Sequence, residues 1–235
     1  MKPGASPEDT MNHNAPPLNP LPPVVWALTL PLIAMEVVLG LEKAGLVGGA
    51  AVGWRQDAVQ RFGFSPELMR AMIEAGQYPL AALARLVTYP LVHLDFTHAL
   101  FAIVILLALG KMVGEVFRWW AVLVVFFGAT VAGALAYTAL PWSAGALVGA
   151  YPGDYGLIGA FTFILWVRQV RSGGNQLRAF QMIGVLMGFQ LLFGLMFGGG
   201  WIWVAELAGF AAGFALSFLV SPGGVQRLRD RMRQR

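Results

Sequence analysis

The chain has 235 residues, 57% of them apolar and only 12% charged, with a formal net charge of +4. A mean hydropathy of +0.66 excludes an ordinary soluble globular domain, and the absence of cysteine excludes disulfides, thiolate metal sites and a cysteine nucleophile. Much of the positive charge sits in Arg227, Arg229, Arg231, Arg233 and Arg235 at the C-terminus, a pattern that fits contact with anionic lipid better than nucleic acid.

Residues 1–23 hold Pro3, Pro7, Pro16, Pro17, Pro20, Pro22 and Pro23 among polar and acidic residues, so they predict a disordered Pro-rich tail. A basic start directly before an apolar stretch, followed by a small-residue cleavage site, is missing, so the first apolar segment is expected to be retained. From there the chain offers six apolar runs, at 24–45, 88–109, 119–140, 152–170, 180–197 and 201–220. A hydrocarbon core needs about 20 apolar residues per spanning helix, and long runs without period-two alternation select helices over a barrel. The expected fold class is therefore an all-α membrane protein: one six-helix membrane domain over 24–220, with a basic tail at 221–235.

The connection 46–87 is unusually long and carries two pieces with apolar and charged residues at helical spacing, around Trp54 and around Met69. Ser65, Pro66 and Glu67 supply an N-cap, a first-turn proline and an early acid for the second piece. Such pieces either lie in the membrane interface or pack as solvated loop helices. Lys111, Arg118, Arg168, Arg171, Arg178 and the basic tail all fall on one side if six spans alternate, which makes both termini cytoplasmic. A bacterial inner membrane is the expected location. From Pro152 to Arg168 the fourth run is about 25 Å long, so this helix is expected to start below the membrane surface, with Asp154 capping its unpaired N–H groups.

Several segments carry a family resemblance. They are GAYPGDYGLIGAF at 149–161, AELAGFAAG at 205–213, and ARLVTYPLVHLDFTHALFA at 84–102, followed by Gly110 and Glu115. In this order and spacing they resemble the fourth, sixth and second helices of the rhomboid intramembrane serine proteases. The likeness spans Arg85 to Val220 and implies the six-helix rhomboid bundle. Arg85, His93, His98, Tyr155, Gly209 and Gly213 stand where the family pattern has the same residues, with Gly209 and Gly213 forming a small-residue ridge for helix packing.

The positions that carry the family's chemistry differ. Tyr151 stands at the nucleophilic serine, Glu206 at the histidine and Ala102 at the asparagine that helps bind the oxyanion. Hydrolysis by this route needs a hydroxyl nucleophile, a base in reach and oxyanion donors. The three histidines are His13, His93 and His98, so none can come from a later helix. Ser143 and Ser217 are poor substitutes, since neither lies at a helix start that would expose a nucleophile. The resemblance thus implies a pseudoprotease that keeps the fold and binds transmembrane segments of other membrane proteins within the lipid bilayer, without cofactor or metal.

Two alternatives stand beside this reading: an active intramembrane serine endopeptidase with a non-standard site, and a carboxylate-based protease using Asp154 and Glu206. A hydrogen bond between Glu206 and Tyr151 is expected to replace the serine–histidine link. His93 is expected to hold the long connection or the Arg85 region in place, and Glu36 either marks a polar cavity or meets a local donor. Trp119, Trp120, Trp142, Trp201 and Trp203, near span ends, read as interfacial anchors.

Overall fold

A computed structural model of the chain describes residues 20–43, 53–197 and 200–222. Most of the expected N-terminal tail and the arginines of the C-terminal tail lie outside the described residues. The order is α1 (Pro23–Lys43), α2 (Trp54–Phe62), α3 (Pro66–Ala75), α4 (Leu80–Thr88), α5 (Phe96–Gly114), α6 (Trp119–Thr138), α7 (Tyr151–Ser172), α8 (Gln181–Phe197) and α9 (Ile202–Val220). The described residues contain no strand, only a single antiparallel bridge between Phe64 and Leu147.

Among the described residues, four helices are long and apolar enough to cross a membrane: Pro23–Leu41, Phe96–Gly114, Trp119–Thr138 and Ile202–Val220. α7 has 22 residues, about 33 Å at 1.5 Å per residue, but Asp154, Arg168 and Arg171 lower its hydropathy. α8 has 17 residues, about 26 Å.

The centre of the bundle is α7, which packs most extensively on α9 and also contacts α6 and α5. Glycine makes these approaches possible. A Cβ on Gly209 would strike the Pro152 backbone, one on Gly213 the Gly156 backbone, and one on Gly133 the Ala205 carbonyl. The small-residue ridge expected on α9 is therefore in place, and it brings the first turn of α7 against the first half of α9. Leu106, Val122, Val125, Leu157 and Ile158 fill the core around it with little or no exposure. α1 leans on α5 where Gly110 admits Val25.

The two expected amphipathic pieces of the long connection are α2 and α3, and α4 is a third helix within it that the sequence reading did not separate. Ser65 caps α3 by accepting from the Leu68 N–H at 3.1 Å. The second expected run needs correction: it is not one helix from residue 88. α4 ends at Thr88, Tyr89–Leu91 form a 3-10 turn, and α5 starts only at Phe96. Pro90 has no N–H to donate to a carbonyl four residues back, so the α-helical ladder of α4 cannot continue through it. Asp95, in extended geometry, then caps the new helix by accepting from the His98 N–H at 2.9 Å. His93 consequently precedes α5, while His98 lies in its first turn.

The loop between α6 and α7 is tied to the connection. Arg70 of α3 donates to the carbonyls of Thr138 (3.0 Å), Leu140 (3.1 Å) and Ser143 (2.8 Å) and to the Ser143 hydroxyl (2.9 Å). Glu67 accepts from the Gly145 N–H at 2.9 Å, and Phe64 and Leu147 exchange backbone bonds of 3.0 and 2.7 Å. These contacts fix the chain that leads into α7.

Candidate functional site

The site candidates gather at the start of α7. Gly149 turns the chain into this helix with φ of 93°, a conformation that only glycine adopts at no steric cost. A Cβ there would also come within 2.8 Å of the His98 ring. Beyond it, the Ala150 N–H donates to His93 Nε2 at 3.3 Å, and the His93 carbonyl accepts from Arg55 of the long connection at 2.7 Å. The His93 imidazole thus meets the head of α7, while its backbone carbonyl holds Arg55 of the connection.

His98 accepts from the Leu94 N–H through Nδ1 at 3.2 Å. In the neutral ring this places the proton on Nε2, so that nitrogen is a donor. The two imidazoles meet edge to face at 5.4 Å, and the Tyr151 ring stacks on His98 at 4.8 Å. The Tyr151 hydroxyl donates to the His98 backbone carbonyl at 3.2 Å. The phenol proton is thus directed at an amide oxygen and not at a ring nitrogen of His98.

Glu206 is engaged elsewhere, which corrects the expected bond to Tyr151. It is 6% exposed and accepts from the side-chain amide of Gln190 on α8, whose carbonyl accepts from the Tyr155 hydroxyl at 3.4 Å. The helical screw separates the two groups. Tyr151 faces α5, whereas Tyr155, one turn on and rotated by about 40°, faces α8. Gln190 had no sequence motif around it; a lone amide within the apolar run 182–197 was the available signal.

Asp154 also departs from expectation. It is completely buried, and neither carboxyl oxygen has a hydrogen-bond partner among the described residues, so it does not cap α7. It lies three residues after Tyr151, about one turn deeper and rotated by about 60° to the side opposite Tyr155. Ala102, fully buried, lies one turn deeper than His98 on α5.

Both candidate serines are committed to structure. Ser143 donates to the Leu140 carbonyl at 2.9 Å while receiving Arg70, and Ser217 donates to the Gly213 carbonyl four residues back at 2.7 Å. Arg85 is half-buried on α4, where its carbonyl receives the Tyr89 N–H that ends the helix.

The fold and this buried polar layer define a helical membrane protein in which α7 is held between α5, α6 and α9 by small residues. A family model for the rhomboid domain matches residues 81–223, more than half of the chain, and the chain belongs to the rhomboid family. No curated protein matches it.

Proposed function

We propose that this protein keeps the rhomboid fold, has lost serine endopeptidase activity, and acts by binding transmembrane segments of other membrane proteins. The observation that carries the reading is the pairing of Tyr151 with a backbone carbonyl, while Glu206 is held by Gln190. A covalent mechanism needs a nucleophile whose proton passes to an adjacent base, and here the two family positions point to different helices. α7 and α8 complete six spans in this proposal, and the basic residues at the α5–α6 and α7–α8 turns and in the C-terminal tail put both termini in the cytoplasm of a bacterial inner membrane. The outward apolar side chains of α5 and α8, Phe101 (58% exposed) and Phe189 (59% exposed) among them, are the surfaces offered to a client helix.

The test is to treat purified protein with a fluorophosphonate probe and a model transmembrane substrate beside an active rhomboid, and to place photocrosslinkers at Phe101 and Phe189 in membranes. Silence toward probe and substrate, with crosslinks to single-span proteins, is the expected outcome. Probe labelling or substrate cleavage abolished by Ser143→Ala would refute the loss of activity, and recovery of lipid adducts alone would refute the binding role. Carboxylate chemistry is the second reading, and it rests on the unpartnered, buried Asp154. Cleavage that is abolished by Asp154→Asn and insensitive to fluorophosphonate would establish it instead.

A further inference from the structure

The end of the bundle opposite Tyr151 carries a cluster of unpaired cations. Lys111 lies in the last turn of α5 and Arg118 immediately before α6, while Arg168 and Arg171 lie near the end of α7. None of these four side chains has a hydrogen bond or an ion pair among the described residues. Glu115 is the one acid at this end of the bundle among the described residues, so the cluster keeps most of its positive charge.

Helix pairing brings these charges together. Pro152 of α7 meets Gly133 of α6, and Gly156 meets Ala129, so the two helices run antiparallel and each step along α7 is a step back along α6. Continued to the far end, this register sets Arg168 level with Phe117 and Arg171 level with Gly114. Arg171 follows Gly153 by about five full turns and so shares its face, the one on which a Cβ of Gly153 would strike the Phe126 ring of α6. Arg168 is rotated from it by about 60°. The two arginines of α7 thus stand beside the α5–α6 turn that holds Arg118. Apolar side chains flank the charges: Met112, Val116 and Trp119 are 42, 40 and 65% exposed. The depth is that of the headgroups, because Gly114 ends one apolar helix of spanning length and Trp119 begins the next.

We propose that this rim binds a phospholipid whose headgroup carries two phosphate groups. Basic pockets between helix ends hold such headgroups, and arginine meets phosphate through paired N–H donors. Arg118 and Arg171, on adjacent helices, each take one phosphate, and Arg168 and Lys111 add charge around them. A headgroup with a single phosphodiester leaves most of the positive charge unmatched. An acidic protein segment would match the charge but leave Met112, Val116 and Trp119 uncovered, whereas acyl chains lie over them. None of this depends on whether the protein hydrolyses or binds other membrane proteins.

The test is native mass spectrometry of the full chain released from micelles holding tetraoleoyl cardiolipin and dioleoyl phosphatidylglycerol at equal phosphate. Retention of cardiolipin at least about fivefold above phosphatidylglycerol is expected, a preference of about 1 kcal/mol. Arg118→Gln combined with Arg171→Gln should lower cardiolipin retention at least about fivefold. Neither side chain has a partner among the described residues, so the melting temperature in detergent should be unchanged. Arg178 is the control: it lies on the 3-10 turn Gln176–Phe180, which Trp166 holds by donating to Gln176 at 3.2 Å, about 140° round α7 from Arg171. Arg178→Gln, and replacement of the C-terminal tail arginines by glutamine, should each leave retention within about twofold. Equal retention of the two lipids, loss of the preference in the Arg178 or tail variant, or an unaffected double variant would overturn the proposal. So would a photocrosslinker at Val116 that captures protein rather than lipid in native membranes.

Discussion

Replacing Gln190 by leucine separates the structural role of Glu206 from a catalytic one. The substitution removes the donor to a carboxyl that is 6% exposed and packed beside the glycine ridge of α9. Interhelical hydrogen bonds within bilayers contribute about 0.6 kcal/mol on average and up to about 1.7. A buried acceptor left without a partner adds about 1–3 kcal/mol of desolvation penalty. The Tyr155 bond to Gln190, at 3.4 Å, is long and adds little. Gln190→Leu should therefore cost about 2 kcal/mol. Glu206→Gln keeps an acceptor for the Gln190 amide and should stay within about 1 kcal/mol of the parent. Combining Gln190→Leu with Glu206→Leu removes both polar groups together, so the pair should cost less than the sum of its single changes by about 1–2 kcal/mol. Reversible unfolding of the purified protein in bicelles, followed by helicity, measures all four variants. A Gln190→Leu protein within about 0.5 kcal/mol of the parent, or strict additivity in the double variant, would refute the bond as the reason for Glu206.

Arg70→Ala removes four hydrogen bonds to the loop before α7; since water can reach part of that loop, a loss of about 2–4 kcal/mol is expected in the same unfolding assay. Gly213→Leu would force α9 away from the Gly156 backbone, and loss of the folded monomer on size-exclusion chromatography is the expected result. Glu67 predicts a pH effect outside the membrane. Its partial burial raises its carboxyl pKa, but hydrogen bonds from its own backbone, the Ser65 hydroxyl and the Gly145 N–H, with Arg70 nearby, outweigh this and hold it below the ordinary 4.5. A depressed carboxyl stabilises the fold above its unfolded pKa and loses that contribution as pH falls through the folded one. Unfolding measured from pH 6 downward should thus weaken below about 4.5, with a shallower fall in Glu67→Gln.

The legible features were those with a local cause. Long apolar runs fix helices because lipid leaves no other way to satisfy the backbone, and Ser65–Pro66–Glu67 carried its helix start in adjacent residues. Gly209 and Gly213 announced close packing because four-residue spacing puts them on one face. The break before α5 was also written locally, in Pro90 and Asp95, but the continuous hydropathy of residues 88–109 conceals it.

The absence of a serine–histidine pair at the family positions was determined by sequence alone, since no histidine follows His98. What replaced that pair was decided by the tertiary structure. Tyr151 and Glu206 are each able to hydrogen bond with the other, and only the rotation of α7 directs one to α5 and leaves the other to Gln190. Arg55 reaching Glu36 and His93, and Arg70 reaching the α6–α7 loop, are likewise set by how distant segments pack. Composition and periodicity record which side chains a helix presents, whereas the choice of partner depends on helix rotation and depth, which no single segment encodes.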